Sequence, residues 1–339
     1  MLDMMGKMDI AFPNLGIYLK DVPTGFTVFG FWIAFYGVCI AIGVMAGIMM
    51  AARMAKVSGQ NPDIYWDFAI YAIIFSVIGA RLYYVAFQWD YYKNDLMQIF
   101  NTRNGGLAIY GAVIGAFLTG FIYCKIKKLN PLQLIDTGVY GLILGQAIGR
   151  WGNFINREVF GGYSDGLFAM RIPVSAVRDR SDITADIAAH MSDATNYIQV
   201  HPTFLYESVW NLFVLFLMIL LRKRMKFHGE NILLYLGGYG LGRFIIEGIR
   251  TDRLLIPGTN IAISQLIALI CFVGAIVVDV VVRLVMHKKG IKTLMTTPDI
   301  ITEKVEESGT ETEITEEKPA ESTEKVVEEA KTEEIEETK

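Results

Sequence analysis

Two short stretches place polar side chains where the surrounding chain is apolar. GRWGNFINREVFG, from Gly149 to Gly161, follows a long apolar run and carries Arg150, Asn153, Asn156, Arg157 and Glu158. A late apolar run contains Arg243 and Glu247. A charged side chain near the centre of a membrane helix costs about 2.5–3.5 kcal/mol on insertion scales, so it faces protein or a wet cavity. Guanidinium groups held there can bind an anionic group. Tyr235, Tyr239, Arg243 and Glu247 recur every fourth residue and form one polar stripe on a helical face. An internal Arg243–Glu247 pair would neutralise itself, but it leaves Arg81 and Arg150, expected at similar depth, without an explanation.

Other chemistries find little support. Cys39, Cys124 and Cys271 all fall inside apolar runs and read as small buried residues, so any thiol chemistry would use a thiol of the substrate. The four histidines, His190, His201, His228 and His287, form no HExxH and no Cys/His ligand spacing, so no metal is expected. There is no GxSxG elbow and no P-loop. The GYGLG before Arg243 lies within an apolar run and follows no strand, so it is not a dinucleotide fingerprint. No cofactor and no nucleic-acid partner is expected.

The elements that must position these residues are membrane helices. Of the 339 residues, 53% are hydrophobic, and most charges fall between apolar blocks or near the C-terminus. Runs of about 20 apolar residues suffice to cross the hydrocarbon core. Seven blocks qualify: Val28 to Ala52, Ile64 to Phe87, Leu107 to Cys124, Leu132 to Gly149, Thr203 to Leu221, Asn231 to Ile249 and Ile261 to Val285. An open sheet would leave its backbone groups unsatisfied in lipid. The expected fold is therefore an all-α integral membrane protein, a seven-span helical bundle with a small extracytoplasmic head and a disordered cytoplasmic tail.

Lys and Arg cluster after the first, third, fifth and seventh spans, at Arg53 and Lys56, at Lys125 to Lys128, at Arg222 to Lys226, and at Lys288 to Lys292. Positive loops stay in the cytoplasm, so the N-terminus is expected outside and the C-terminus inside. The first 26 residues carry Asp3, Asp9 and Asp21 and lack a basic start followed by an apolar core, so the first span is expected to direct insertion. Residues 1–27 are then an extracytoplasmic segment, 28–285 the membrane domain with an extracytoplasmic insertion at 150–200, and 286–339 a basic juxtamembrane segment and acidic tail. From about Pro298 the composition is Glu, Lys and Thr, which cannot bury enough surface to fold.

Helical rise then fixes depth. Arg243 lies about 18 Å along its span from the cytoplasmic start, past the midplane. Arg81, Tyr36, Tyr110, Arg150 and Glu207 all fall toward the same outer side. Gly141, Gly145 and Gly149, like Gly111 and Gly115, have the small-xxx-small spacing that lets membrane helices approach closely.

GRWGNFINREVFG, HPTFLYE at His201 to Glu207, YGLGRFIIEGIR at Tyr239 to Arg250 and GGLAIYGAVIG at Gly105 to Gly115 together resemble the prolipoprotein diacylglyceryl transferase family. The resemblance runs from about Phe31 to Arg250. It implies a bacterial cytoplasmic-membrane enzyme of seven spans that moves the diacylglyceryl group of phosphatidylglycerol onto the lipobox cysteine of a preprolipoprotein, releasing glycerol phosphate. Arg150, Asn153, Glu158 and Gly161 match its signature motif, Arg243 and Glu247 the charged pair of the late span, Tyr36 a tyrosine of the first span, and His201 the opening of HPTFLYE. Many members carry histidine where this chain has Tyr110, which puts a universal histidine base in doubt. On these residues Arg150 and Arg243 are expected to hold the departing phosphate and Asn153 and Tyr36 to orient the headgroup, while Tyr110 hydrogen-bonds or deprotonates the thiol, with His201 as the other candidate base. Glu158, Glu247, Tyr239, Arg81 and Asn156 are expected to support them. A lipid-binding transporter would instead favour an inverted repeat with broken helices, and none is evident. An intramembrane protease would need paired carboxylates or a Ser/His arrangement within the spans, and neither constellation is present.

Overall fold

The computed structural model describes residues 6–102, 105–191 and 195–294. The acidic stretch from Pro298 lies outside the described residues. In chain order the elements are β1 (Ile10–Phe12), β2 (Ile17–Leu19), β3 (Gly25–Val28), β4 (Phe31–Ala34), α1 (Phe35–Val57), α2 (Asp63–Phe87), α3 (Trp89–Tyr92), α4 (Ile109–Lys127) and α5 (Pro131–Asn156). Then follow β5 (Met170–Pro173), α6 (Ala185–Ala189), β6 (Tyr197–Val200), α7 (Thr203–Leu221), α8 (Glu230–Glu247) and α9 (Ile263–Lys288).

Every expected apolar block overlaps a long helix, and five of these (α1, α2, α4, α7 and α9) are long and apolar enough to cross a membrane. The chain is a multi-pass membrane protein. The other two, α5 and α8, have 26 and 18 residues but are diluted by Gly and charge. Large apolar side chains cover the outer faces of the bundle, and only 11% of the most apolar window of α9 is buried. Such a surface is stable against lipid tails and unstable against water.

Helix pairing follows the glycines. The helix α1 packs on α5 and α2 on α4, while α7, α8 and α9 pack in sequence and α5 joins α7. At the first crossing a Cβ added to Gly47 would sit 2.7 Å from the Gly141 carbonyl oxygen, so the two backbones touch where any side chain would part them. The crossing of α2 and α4 is equally close, with a Cβ on Gly79 2.5 Å from the Gly111 carbonyl oxygen. Asn130 caps α5 by accepting from the Leu132 N–H at 3.0 Å, with Pro131 in the first turn.

The all-α expectation is corrected to mostly helical, because two small sheets are present. The strands β2, β1, β5 and β6 form one antiparallel sheet in that order, and β3 and β4 form a hairpin. The N-terminal segment and the insertion after α5 thus share a sheet, joined at Ala11 and Arg171. Its core gathers Ile10, Phe160, Ile172, Ile187, Ile198 and Val200. The hairpin also shortens the first expected span. Residues 28 to 34 are turn and strand, and the helix begins at Phe35.

Candidate functional site

The C-terminal turns of α5 and α8 meet the first turns of α7, and their charged side chains converge. Glu207 is the hub. Its carboxylate lies 2.6 Å from Arg150, 3.2 Å from Arg243 and 3.5 Å from Arg250. Glu247 lies 2.8 Å from Arg243 and 3.6 Å from Arg250, and accepts a hydrogen bond from the Ser264 hydroxyl. Arg250 forks onto Asp252 at 2.6 and 2.9 Å. Three guanidinium groups therefore face three carboxylates. Glu207 and Glu247 are buried, whereas Arg150 and Arg243 keep 18% of their side-chain surface accessible. The cations are the groups a ligand can reach.

Arg150 and Arg243 lie in the C-terminal halves of α5 and α8, ahead of the last turn of each helix, so their carboxylate partners and not the helix ends hold them. Burial alone would lower the Arg250 guanidinium, but Asp252, Glu247 and Glu207 outweigh it and hold it above its ordinary value. Burial likewise works to raise Asp252, and the hydrogen bonds and charge of Arg250 override it and hold that carboxyl below its ordinary value. Asp182 goes the other way. Burial raises it, and the neighbouring Asp252 and Asp179 carboxylates add to the rise.

The signature stretch is shaped by backbone as much as by side chains. Arg157 ends α5 in the left-handed region at φ 54°, and Val159 follows at φ 59°, a rare conformation for a β-branched residue. Val159 is held there by the Thr203 hydroxyl, which donates to its carbonyl. The reversal brings Glu158 back over α5, where it accepts from Asn153 at 2.9 Å and Asn156 at 3.3 Å and pairs with Arg178. Arg150 donates to the side-chain amide oxygen Oδ1 of Asn153 at 3.4 Å. Gly161 is required by space. A Cβ there would lie 2.8 Å from the His201 Cβ and 2.9 Å from the Ile249 carbonyl oxygen. Tyr36 reaches the same helix, since a Cβ on Gly152 would meet its ring at 2.7 Å.

The structure brings together Arg150, Asn153, Asn156, Glu158, Arg243 and Glu247, with Tyr36 and Gly161 beside them. Tyr239 stacks on Tyr235 at 5.6 Å, and Tyr235 meets Gln146 at 3.0 Å, so the expected stripe of α8 exists. Two expectations are corrected. Arg81 supports a loop, not the cluster, donating to the carbonyls of Gln98, Ile99, Asn101, Gly105 and Gly106. Glu158 does not hold an arginine of the cluster, because Arg178 takes it and Glu207 holds Arg150. Tyr110 stands apart, 64% exposed on the α2–α4 pair with its ring against Tyr83. His201 meets the Tyr206 hydroxyl at 3.2 Å through Nδ1, and burial lowers its pKa. Glu207, Arg250 and Asp252 had no assigned role in the sequence reading. Arg250 lies just past the end of α8, bridged to Gly161, so helical spacing offered no signal for it.

Fold and site together define a multi-pass membrane protein with an arginine–carboxylate cluster suited to an anionic ligand. The sequence profile described as prolipoprotein diacylglyceryl transferase matches residues 23–281. The chain belongs to that family. Among its relatives, the phosphatidylglycerol-prolipoprotein diacylglyceryl transferase of Clostridioides difficile is 42% identical over 255 residues, covering 75% of this chain and 93% of the relative. Those of Staphylococcus haemolyticus and Staphylococcus aureus are each 38% identical, covering 76% of this chain and 86% and 88% of the relatives.

Proposed function

We infer that this chain transfers the diacylglyceryl group of phosphatidylglycerol to the lipobox cysteine of preprolipoproteins. The thiol sulfur attacks the glyceryl carbon that bears the phosphate. A thioether forms, the carbon–oxygen bond breaks, and glycerol phosphate leaves with the electron pair. The observation that carries this reading is the meeting of Arg150, Arg243 and Arg250 on Glu207.

A guanidinium has five N–H donors. Arg150 and Arg243 spend some on carboxylates and Asn153, and the remainder can close on the phosphate as its charge develops. Each such donor is worth about 2.7–4 kcal/mol when preorganised. Ionising a cysteine thiol at pH 7 costs only about 2 kcal/mol, less near arginine. Leaving-group stabilisation therefore outweighs the choice of base. Asn153 and Tyr36 orient the headgroup, Gly161 lets the signature strand pass His201, and Glu207 and Glu247 keep the arginines aimed. Glu158, Asn156 and Tyr239 brace this frame. His201, kept neutral by burial, can take the thiol proton. Tyr110, open on the lipid-facing side, can hydrogen-bond the arriving thiol.

The topology we propose has seven spans, with α5 and α8 shielded by their more apolar neighbours. The sheets form an extracytoplasmic head, with residues 150–200 as its main insertion. The N-terminus lies outside the bacterial cytoplasmic membrane, and a basic segment and the acidic tail lie in the cytoplasm.

The test is mass spectrometry of a lipobox peptide incubated with the purified protein and phosphatidylglycerol, with glycerol phosphate followed in the same tube. A diacylglyceryl mass gain on the cysteine, matched by glycerol phosphate and absent in a folded Arg243→Ala protein, supports the reading. No adduct from folded protein that still binds phosphatidylglycerol would point to a lipid-handling protein, and unchanged turnover in Arg243→Ala would remove the phosphate clamp.

A further inference from the structure

The start of α8, about 26 Å along the helix from Glu247, carries a separate set of charges. Glu230 is buried there. Its carboxylate accepts from the backbone N–H groups of Lys226 and Phe227 and pairs with Arg283, which also binds Asp279 at 2.8 Å. The Lys226 carbonyl in turn accepts from the Thr293 hydroxyl at 2.9 Å and the Leu294 N–H at 2.7 Å. The α7–α8 connection and the segment after α9 are thereby tied together around one helix end.

Between them lies a cavity of about 910 Å³. That falls in the range of about 300–1,000 Å³ typical of small-molecule sites. Its floor is the α8 face from Glu230 to Leu241, with Leu234 and Gly237 between, and Phe272 and Ile276 of α9 form one wall. The helices α7 and α9 both pack on α8, and the groove runs along the α8 face between them. From residue 230 to 241 the floor runs about 16 Å. That is close to half the hydrocarbon thickness of about 30 Å, the depth of one leaflet.

The mouth is cationic. Lys223, Arg224, Lys226 and Lys292 line it beside Arg283, against only Glu230 and Asp279. Arg283 engages both carboxylates, and the other four cations have no carboxylate partner among the described residues. An apolar groove one leaflet deep, topped by unpaired positive charge, matches a lipid with acyl chains below an anionic phosphate.

We propose that this groove binds an anionic glycerophospholipid as a resident, non-reacting ligand. Its phosphate lies among Lys223, Arg224, Lys226 and Lys292, and one acyl chain runs along α8 to Leu241. The chain's own tail, with fifteen Glu and five Lys in residues 301–339, matches the charge but has no apolar run to fill the groove. The lipid satisfies both halves of the site.

The experiment uses the full-length protein in phosphatidylcholine nanodiscs containing a trace of phosphatidic acid with a photoactivatable acyl chain. Crosslinks are expected on Leu234, Leu241, Phe272 and Ile276, falling about ten-fold in the K223Q/R224Q/K226Q/K292Q protein. The same loss is expected in Ile276→Trp, which fills the groove and leaves the charges in place, with its melting temperature recorded to show that it is folded. Equal labelling by photoactivatable phosphatidylcholine would mean ordinary solvating lipid and overturn the proposal, as would undiminished labelling of the charge variant. Labelling that appears only after residues 301–339 are removed would assign the mouth to the tail, also overturning it. Transfer to a lipobox peptide, followed separately, reports on the other end of the bundle.

Discussion

Glu207 has the unusual task of keeping three guanidinium groups together without cancelling their use. Its side chain is only 4% exposed, so replacing it leaves positive charge that water cannot reach. Losing one partner of a buried ion pair costs about 3–5 kcal/mol. Glu207→Gln should therefore lower stability by about 3 kcal/mol, read as a drop in melting temperature, and slow transfer by roughly a hundred-fold, because misplacing a catalytic group by about 1 Å has that effect. Unchanged transfer would leave Arg150 and Arg243 independent of their shared carboxylate. By contrast, Tyr110→Phe should keep the rate within about three-fold, since the thiol needs only about 2 kcal/mol to ionise. A hundred-fold loss there would restore the phenol as an essential base. His201 carries a pH signature. Burial depresses its folded pKa below the ordinary 6.5, so the unfolded chain binds more protons. Its contribution is fully present above pH 6.5 and is lost as the pH falls through the folded value. His228 shifts in the same direction, so His201→Gln should flatten part, not all, of the decline in melting temperature between about pH 7 and 5.

Among the elements, the closest fit is the α1–α5 crossing. Gly141 faces Gly47 backbone to backbone, whereas Gly138, one turn earlier on α5, has nothing within 4 Å of where a Cβ would stand. Overpacking a tight contact costs about 1–3 kcal/mol. Gly141→Val should lower the melting temperature and the yield of folded protein, and Gly138→Val should not; equal behaviour would mean that the crossing is not tight. These glycines were legible in the sequence because a four-residue spacing is local. So were the helices. Thr203 to Leu221 agrees at both ends, and Ile64 to Phe87 differs by one residue. The hairpin of β3 and β4 was not legible, because Phe31, Trp32 and Ile33 are apolar enough to read as the start of a span. The larger sheet escaped for a different reason. Its strands are three or four residues long, too short to display alternation, and Ala11 finds Arg171 across most of the membrane domain. The site divides the same way. Arg150, Asn153, Arg243 and Glu247 stand out as charge or amide within apolar runs, while the grip of Glu207 on three arginines depends on three helix ends meeting, which no single stretch encodes.

At the scale of the whole molecule, charge is distributed along the bundle axis in two ways. One end holds arginines matched by carboxylates, and the other holds Lys and Arg that, among the described residues, mostly lack acidic partners. The alternation of positive connections, after α1, α4, α7 and α9, is what sets orientation in a membrane, because Lys and Arg are retained on the cytoplasmic side. The proposed orientation leaves the arginine cluster on the outer side, where Arg150 and Arg243 lie within helices and so outside the short connections over which the bias is counted. The proposed transfer reaction requires the same orientation, because a lipobox cysteine must meet the cluster on the side to which the preprolipoprotein is exported. Cysteine labelling tests this directly in a background where Cys39, Cys124 and Cys271 are replaced by Ser. Asp165→Cys, in the exposed loop before β5, should react with a membrane-impermeant maleimide in intact cells with an open outer surface. Ser58→Cys, after α1, and Lys289→Cys, after α9, are equally exposed and should react only once the membrane is broken. The opposite pattern would place the arginines in the cytoplasm. The positive connections would then lie outside, and the proposed substrate could not reach the site, so the orientation and the function stand or fall on one set of labels.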